Sequence, residues 1–227
     1  MSEINGKVSL NFYYLFKNDS LHLAESAEKE QSKLKSVYAR HSILSAVFAS
    51  EAFINRIFDD FYVPGGYKLI ERKMPLEEKW MLAPLTCRPD PDGTYDRSAQ
   101  PFQSFSELIK IRNWFAHPKS DNFFPASLDS NSTITTENDE EIPWISVLPG
   151  SIWDMTQFPK NPFHLNEDHA RTAIHIVDEM VSTLKVFLPE QVTDKWIRGI
   201  VFKASDSSLE IQLTHDSLWS GYSGLAI

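Results

Sequence analysis

Apolar residues recur at three- and four-residue steps along most of this chain, so the pattern predicts helices first. Positions 20–62 contain neither Pro nor Gly. Ser20 is placed to cap that run, and Glu25, Glu28 and Glu30 stand early in it, where a helix dipole favours acids. The first half is mostly polar. In the second half Val37, Leu44, Val47, Phe48, Ile54, Ile57, Phe58 and Phe61 make an apolar stripe, which two helices or one bent helix would satisfy equally. Pro64-Gly65-Gly66 ends it. A short helix is expected behind Pro75, with the proline at its first position and Glu77-Glu78 after it. Pro84, Pro89, Pro91 and Gly93 then read as loop, with Cys87 inside. A compact helix over 103–116 turns Phe105, Leu108, Ile109, Phe115 and Ala116 inward, and Pro118 stops it.

Positions 119–165 read as a long inserted loop, rich in Asn, Asp, Ser and Glu, with one strand-like stretch at 143–148. The last strong helix is expected from Glu167 to Leu188, capped by Asn166 and ended by Pro189. Beyond it the period changes to two. Ile200-Val201-Phe202 and Leu209-Glu210-Ile211-Gln212-Leu213 read as a small C-terminal β-hairpin, which the alternating Val8–Phe12 stretch is suited to join. The expected fold class is mainly α: a helical bundle over 1–195 containing the loop 119–165, with a β extension over 196–227 packed on the same domain.

Composition narrows the function classes. The chain has 227 residues, 42% of them hydrophobic and 23% charged, which is ordinary for a globular protein and excludes wholesale disorder. A single cysteine, Cys87, excludes a disulfide framework and a cysteine-based metal site. No apolar run approaches the roughly 20 residues that span a bilayer, and the first residues lack the features of a signal peptide. The expectation is a cytoplasmic protein without a membrane partner. The 22 Lys and Arg against 31 Asp and Glu give a net charge of −9. That argues against coating nucleic acid through bulk charge, but leaves room for a local basic pocket that touches one or two phosphates.

Such a pocket is suggested by Lys110-Ile111-Arg112-Asn113-Trp114-Phe115-Ala116-His117-Pro118-Lys119. Asn113 and His117 are four apart and share a helix face. Arg112 sits about 100° round the helix, and its side chain is long enough to reach the same cleft. Lys110 and Lys119 add positive charge for substrate binding. Arg grips phosphate at two points and stays charged, while His moves protons near neutrality. Together they suit metal-free phosphodiester chemistry in RNA, with His117 as general acid/base, Arg112 stabilising charge on phosphorus oxygens and Asn113 positioning the substrate. Each residue also has a plainer role open to it: Arg112 as a clamp on a carboxylate, and His117 as a cap on the helix end. Glu51 and Asn55 lie near the apolar stripe of their helix and need partners. Either they form a packing network, or they reach Arg112 and orient it. Trp114 is read mainly as a packing anchor, with base stacking as its other use. His164, His169 and His175 are spaced five and six apart and do not share a helix face, so no metal site and no cofactor is expected.

Arg112-Asn113-Trp114-Phe115-Ala116-His117 resembles the R-N-x-x-x-H motif of the HEPN superfamily, and the helix carrying Glu51 and Asn55 resembles the long helix of such domains. The resemblance covers roughly 30–120 and the closing helix 167–188. It implies a HEPN-like helical bundle that dimerises and brings two Arg–His motifs to one cleft, acting as a metal-independent ribonuclease. It equally implies an alternative, a non-catalytic dimeric binding or scaffold module in a defence or toxin–antitoxin system, with an antitoxin or regulatory protein as partner. It says nothing of the loop 119–165 or the tail.

Overall fold

A computed structural model describes residues 6–9, 11–61, 73–87, 95–117, 152–187, 200–204 and 210–213. Its described part is mainly helical. The helices are α1 (Phe12–Lys29), α2 (Leu34–Phe61), α3 (Leu76–Cys87), α4 (Phe102–Ala116) and α5 (Glu167–Lys185). Three short strands, β1 (Gly6–Ser9), β2 (Ile200–Ala204) and β3 (Glu210–Leu213), pair antiparallel in that order, with Val8 opposite Phe202 and Phe202 opposite Ile211. The connection 205–209 lies outside the described residues, as do Lys119 and the rest of 118–151. No described helix is long and apolar enough to cross a membrane.

The first helical run divides in two. Helix α1 starts at Phe12, where Asn11 Oδ1 accepts from the backbone N–H of Tyr14. The chain breaks after Lys29, and the Glu30 carboxylate accepts from the N–H groups of Gln31 and Ser32. Ser20 is therefore not a cap. It lies inside α1, fully buried, and donates to the carbonyl of Ser42 at 2.8 Å, while the Ser42 hydroxyl donates back to the carbonyl of Ser20 at 2.7 Å. Two small hydroxyls that satisfy each other's helices let α1 and α2 approach closely. Helix α3 also departs from expectation. Pro75 precedes the helix, its carbonyl accepting from Lys79 N–H, and the helix continues through Pro84 to Cys87. Burial of Trp80, Ala83 and Pro84 holds it together across the proline, so Cys87 is a helical residue rather than a loop one.

The chain forms two compact units. The first comprises 1–18, 48–95 and 181–227. Its aromatic core runs from Tyr13 to Phe53 (5.1 Å between ring centres), to Trp80 (5.9 Å, stacked) and to Tyr95 (6.1 Å, edge-on). Burial pushes the Cys87 thiol up to about 12 and also raises the Tyr95 phenol above its ordinary value, so both stay protonated near neutral pH. The second unit comprises 19–47 and 96–180, and contains all of α4. Its core is Ala24, Ala27, Ala39, Ile43, Phe102, Phe105, Leu108, Ile111, Phe158, Ala173 and Val177.

The start of α5 follows the expected cap and adds a partner to it. Asn166 Oδ1 accepts from His169 N–H, and His169 Nδ1 accepts in return from Asn166 N–H at 3.1 Å. Burial lowers the His169 pKa below the ordinary histidine value, against the opposing pull of Asp168 and Glu167. A histidine with a depressed folded pKa stabilises the protein above its unfolded value, near 6.5, and that contribution fades as pH falls below it. Wild-type melting temperature should therefore drop between pH 7 and pH 5.5 by more than that of His169→Gln, which keeps an acceptor at the same position but has no proton to gain. Equal drops in the two proteins would remove His169 from the account.

Candidate functional site

Helix α4 carries the sequence-predicted motif and lies wholly in the second unit. Phe102, Phe105, Leu108, Ile109 and Ile111 are buried along one side. Phe115 is only half-buried and Ala116 is exposed, contrary to the expected stripe, because the last turn runs past the packed face. Asn113 and Lys110 are exposed, and Arg112 is half-buried. The helix ends at His117, which is exposed with φ −132° and ψ 63° and donates its backbone N–H to the carbonyl of Asn113 at 2.9 Å. Those angles are the departure from helix that a following proline imposes. Asn113 and His117 thus stand at the open end of one helix, tied through the backbone. The Trp114 ring lies 5.1 Å from that of Phe115 and is half-buried, so it packs rather than standing free.

Glu51 and Asn55 belong to the first unit. Asn55 Oδ1 accepts from Lys79 Nζ at 2.8 Å. Lys79 is only 2% exposed, and a buried ammonium needs such acceptors. This is the packing role weighed for Asn55 from sequence. Glu51 is half-buried on the same helix.

The histidines do not converge. His164 closes a short 3₁₀ turn, Pro162–His164; His169 is held by Asn166; His175 is exposed beside Glu179 at 3.5 Å. Among the described residues no group of three or more His, Cys, Asp or Glu is placed to hold a metal ion.

The segment 152–166, read from sequence as part of the loop, is instead a built feature. Ile152 and Pro159 form an antiparallel bridge, Trp153 N–H donates to Phe158 carbonyl at 2.8 Å, and Gln157 turns the chain at φ 60°. One side chain fixes this turn to α4. The buried carboxylate of Glu107 accepts through Oε2 from Met155 N–H (3.0 Å), Thr156 N–H (2.6 Å) and the Thr156 hydroxyl (2.8 Å). Glu107 stands five residues before Arg112, about 7.5 Å along the helix axis. Further on, Arg40 of α2 donates through Nη1 to Pro162 carbonyl at 3.0 Å and to Ser36 Oγ at 3.3 Å, and lies over the Phe163 ring at 5.7 Å. Burial lowers its pKa from the ordinary arginine value. Lys160 Nζ lies over the Trp153 ring at 5.2 Å. Sequence reasoning passed over Glu107, Arg40, Trp153, Lys160 and Phe163.

No family model, curated protein or solved structure matches the chain.

Proposed function

We propose that the protein is a metal-independent endoribonuclease with a HEPN-like helical fold, completed by its C-terminal β-hairpin, and that its site is a cleft between two copies of the chain. One observation carries the proposal: Asn113 and His117 are exposed at the C-terminal end of α4, and Arg112, half-buried, immediately precedes Asn113 on the same helix. His117 takes the proton from a ribose 2′-hydroxyl. The 2′-oxygen bonds to phosphorus, the bond to the 5′-oxygen breaks, and a second histidine, the partner subunit's His117, returns a proton to the leaving oxygen. Arg112 stabilises the charge on the phosphorus oxygens, and Asn113 holds the phosphate in place. Lys110 and Lys119 bring positive charge to an otherwise acidic protein. Cytoplasmic RNA is the substrate class that fits this chemistry.

A second reading has its own support. The net charge of −9 and the partial burial of Arg112 suit a non-catalytic dimeric binding module, with an antitoxin or regulatory protein as partner. Incubating the purified protein with mixed RNA in excess chelator separates the two. Cleavage that persists in chelator supports the enzyme. Cleavage that vanishes and returns with magnesium removes this mechanism, and no cleavage under either condition leaves the binding module. The composite cleft also requires two copies. Light scattering at micromolar concentration should give twice the 26.0 kDa chain mass; a monomer would count against it.

A further inference from the structure

We propose that Trp153, Lys160, Phe163 and Arg40 form a binding strip for an unpaired stretch of RNA, with the two rings as stacking faces for bases and the two cations as phosphate contacts. The inference rests on the reading that RNA is the ligand, and it adds where and in what form the strand is held.

Each aromatic ring in the strip carries a cation: Arg40 on Phe163 and Lys160 on Trp153. Among the described residues neither cation has a carboxylate within ion-pair distance. Arg40 is also aimed. Its Nη1 is held by Pro162 carbonyl and Ser36 Oγ, which leaves Nη2 and Nε, among the described residues, for a two-point contact with phosphate. Phe163 is 44% exposed although it is a large apolar ring. Trp153 and Lys160 are half-buried.

The strip is preorganised. Asn161 is fully buried, and its Oδ1 accepts from Phe163 N–H at 3.0 Å. Glu107 fastens the preceding turn to α4. A backbone held at these points loses little freedom when a strand binds beside it. Lys160 and Phe163 are three residues apart, at most about 10 Å, a span that a few consecutive nucleotides cover. Alternating cations and aromatic faces suit unpaired strands, whose bases are free to stack, and do not suit a duplex, whose bases are already stacked.

The test is fluorescence anisotropy with a labelled single strand of 2′-O-methyl RNA, which lacks the attacking hydroxyl and so reports binding without cleavage. Wild type should bind it, and a duplex of the same length should bind more weakly. Phe163→Ala should weaken binding about tenfold, and Phe163→Trp should restore it, which excludes misfolding as the cause. Arg40→Gln should weaken binding and reduce the logarithmic salt dependence by about 0.7, the amount expected for one phosphate contact to a single strand. Wild-type affinity in both Phe163→Ala and Arg40→Gln overturns the strip, as does a wild type that does not bind the strand. The ribonuclease reading fails separately: a protein that binds the methylated strand through Phe163 but never cleaves natural RNA keeps the strip and loses the nuclease. One that cleaves natural RNA equally well with and without the Phe163 ring does the reverse.

Discussion

Replacing His117 or Arg112 by Ala should each reduce RNA cleavage at least ~100-fold, the scale on which a general acid/base or an oxyanion stabiliser acts. The two losses have separate origins. His117 moves a proton and Arg112 holds charge, so neither substitutes for the other. Arg112→Lys should rescue little, because an ammonium cannot make the planar two-point contact. The variants should differ in stability. His117 is exposed beyond the last helical turn, and its loss should leave the fold unchanged within about 0.5 kcal/mol. Arg112 is half-buried, so some packing of its aliphatic stem is lost with it. If Arg112→Ala unfolds the protein, Arg112 is a structural clamp, and the proposal loses its phosphate ligand. Circular dichroism beside each cleavage assay distinguishes these outcomes.

The second large effect is structural. Glu107→Ala should destabilise the protein by about 3 kcal/mol, because it removes three hydrogen bonds to one carboxylate and leaves the N–H groups of Met155 and Thr156 without that acceptor. Hydrogen bonds to a charged group are worth roughly 1.5–3 kcal/mol each, but bonds that share one oxygen do not add. For a chain of this size the melting temperature should fall by roughly 6–12 °C. Glu107→Gln should fall in between, since its amide offers one carbonyl acceptor and turns an NH2 group towards donors. A change below about 1 kcal/mol in urea unfolding of Glu107→Ala would mean that the turn is held without it.

What was legible in the sequence is what repeats along it. The helical run containing α2, the helix α4 and the cap of α5 all follow from periodicity and local punctuation. So does the exit of His117 from helix before Pro118. What was missed depends on pairs distant in sequence. Nothing near Ser20 marks it as the partner of Ser42; a serine before a polar run resembles a cap. Glu107 sits between Phe105 and Leu108 as any solvent-facing glutamate would, and only the turn at 155–156, 48 residues on, gives it a reason to be buried. Arg40 likewise has no local sign of its contact with Phe163. The proline-rich stretch around Pro84 was misread because burial of Trp80 and Ala83 outweighs the local cost of a proline in the helix. The placing of Asn113 and His117 at the end of one helix was legible because their relation is local, four residues apart.

The most direct test of the central claim is the chemistry of the cut ends. A 5′-labelled RNA, treated with purified protein in excess chelator, should give fragments ending in a 2′,3′-cyclic phosphate and a 5′-hydroxyl, with none above background from His117→Ala. Fragments ending in a 3′-hydroxyl and a 5′-phosphate, or equal cleavage by wild type and His117→Ala, would contradict it.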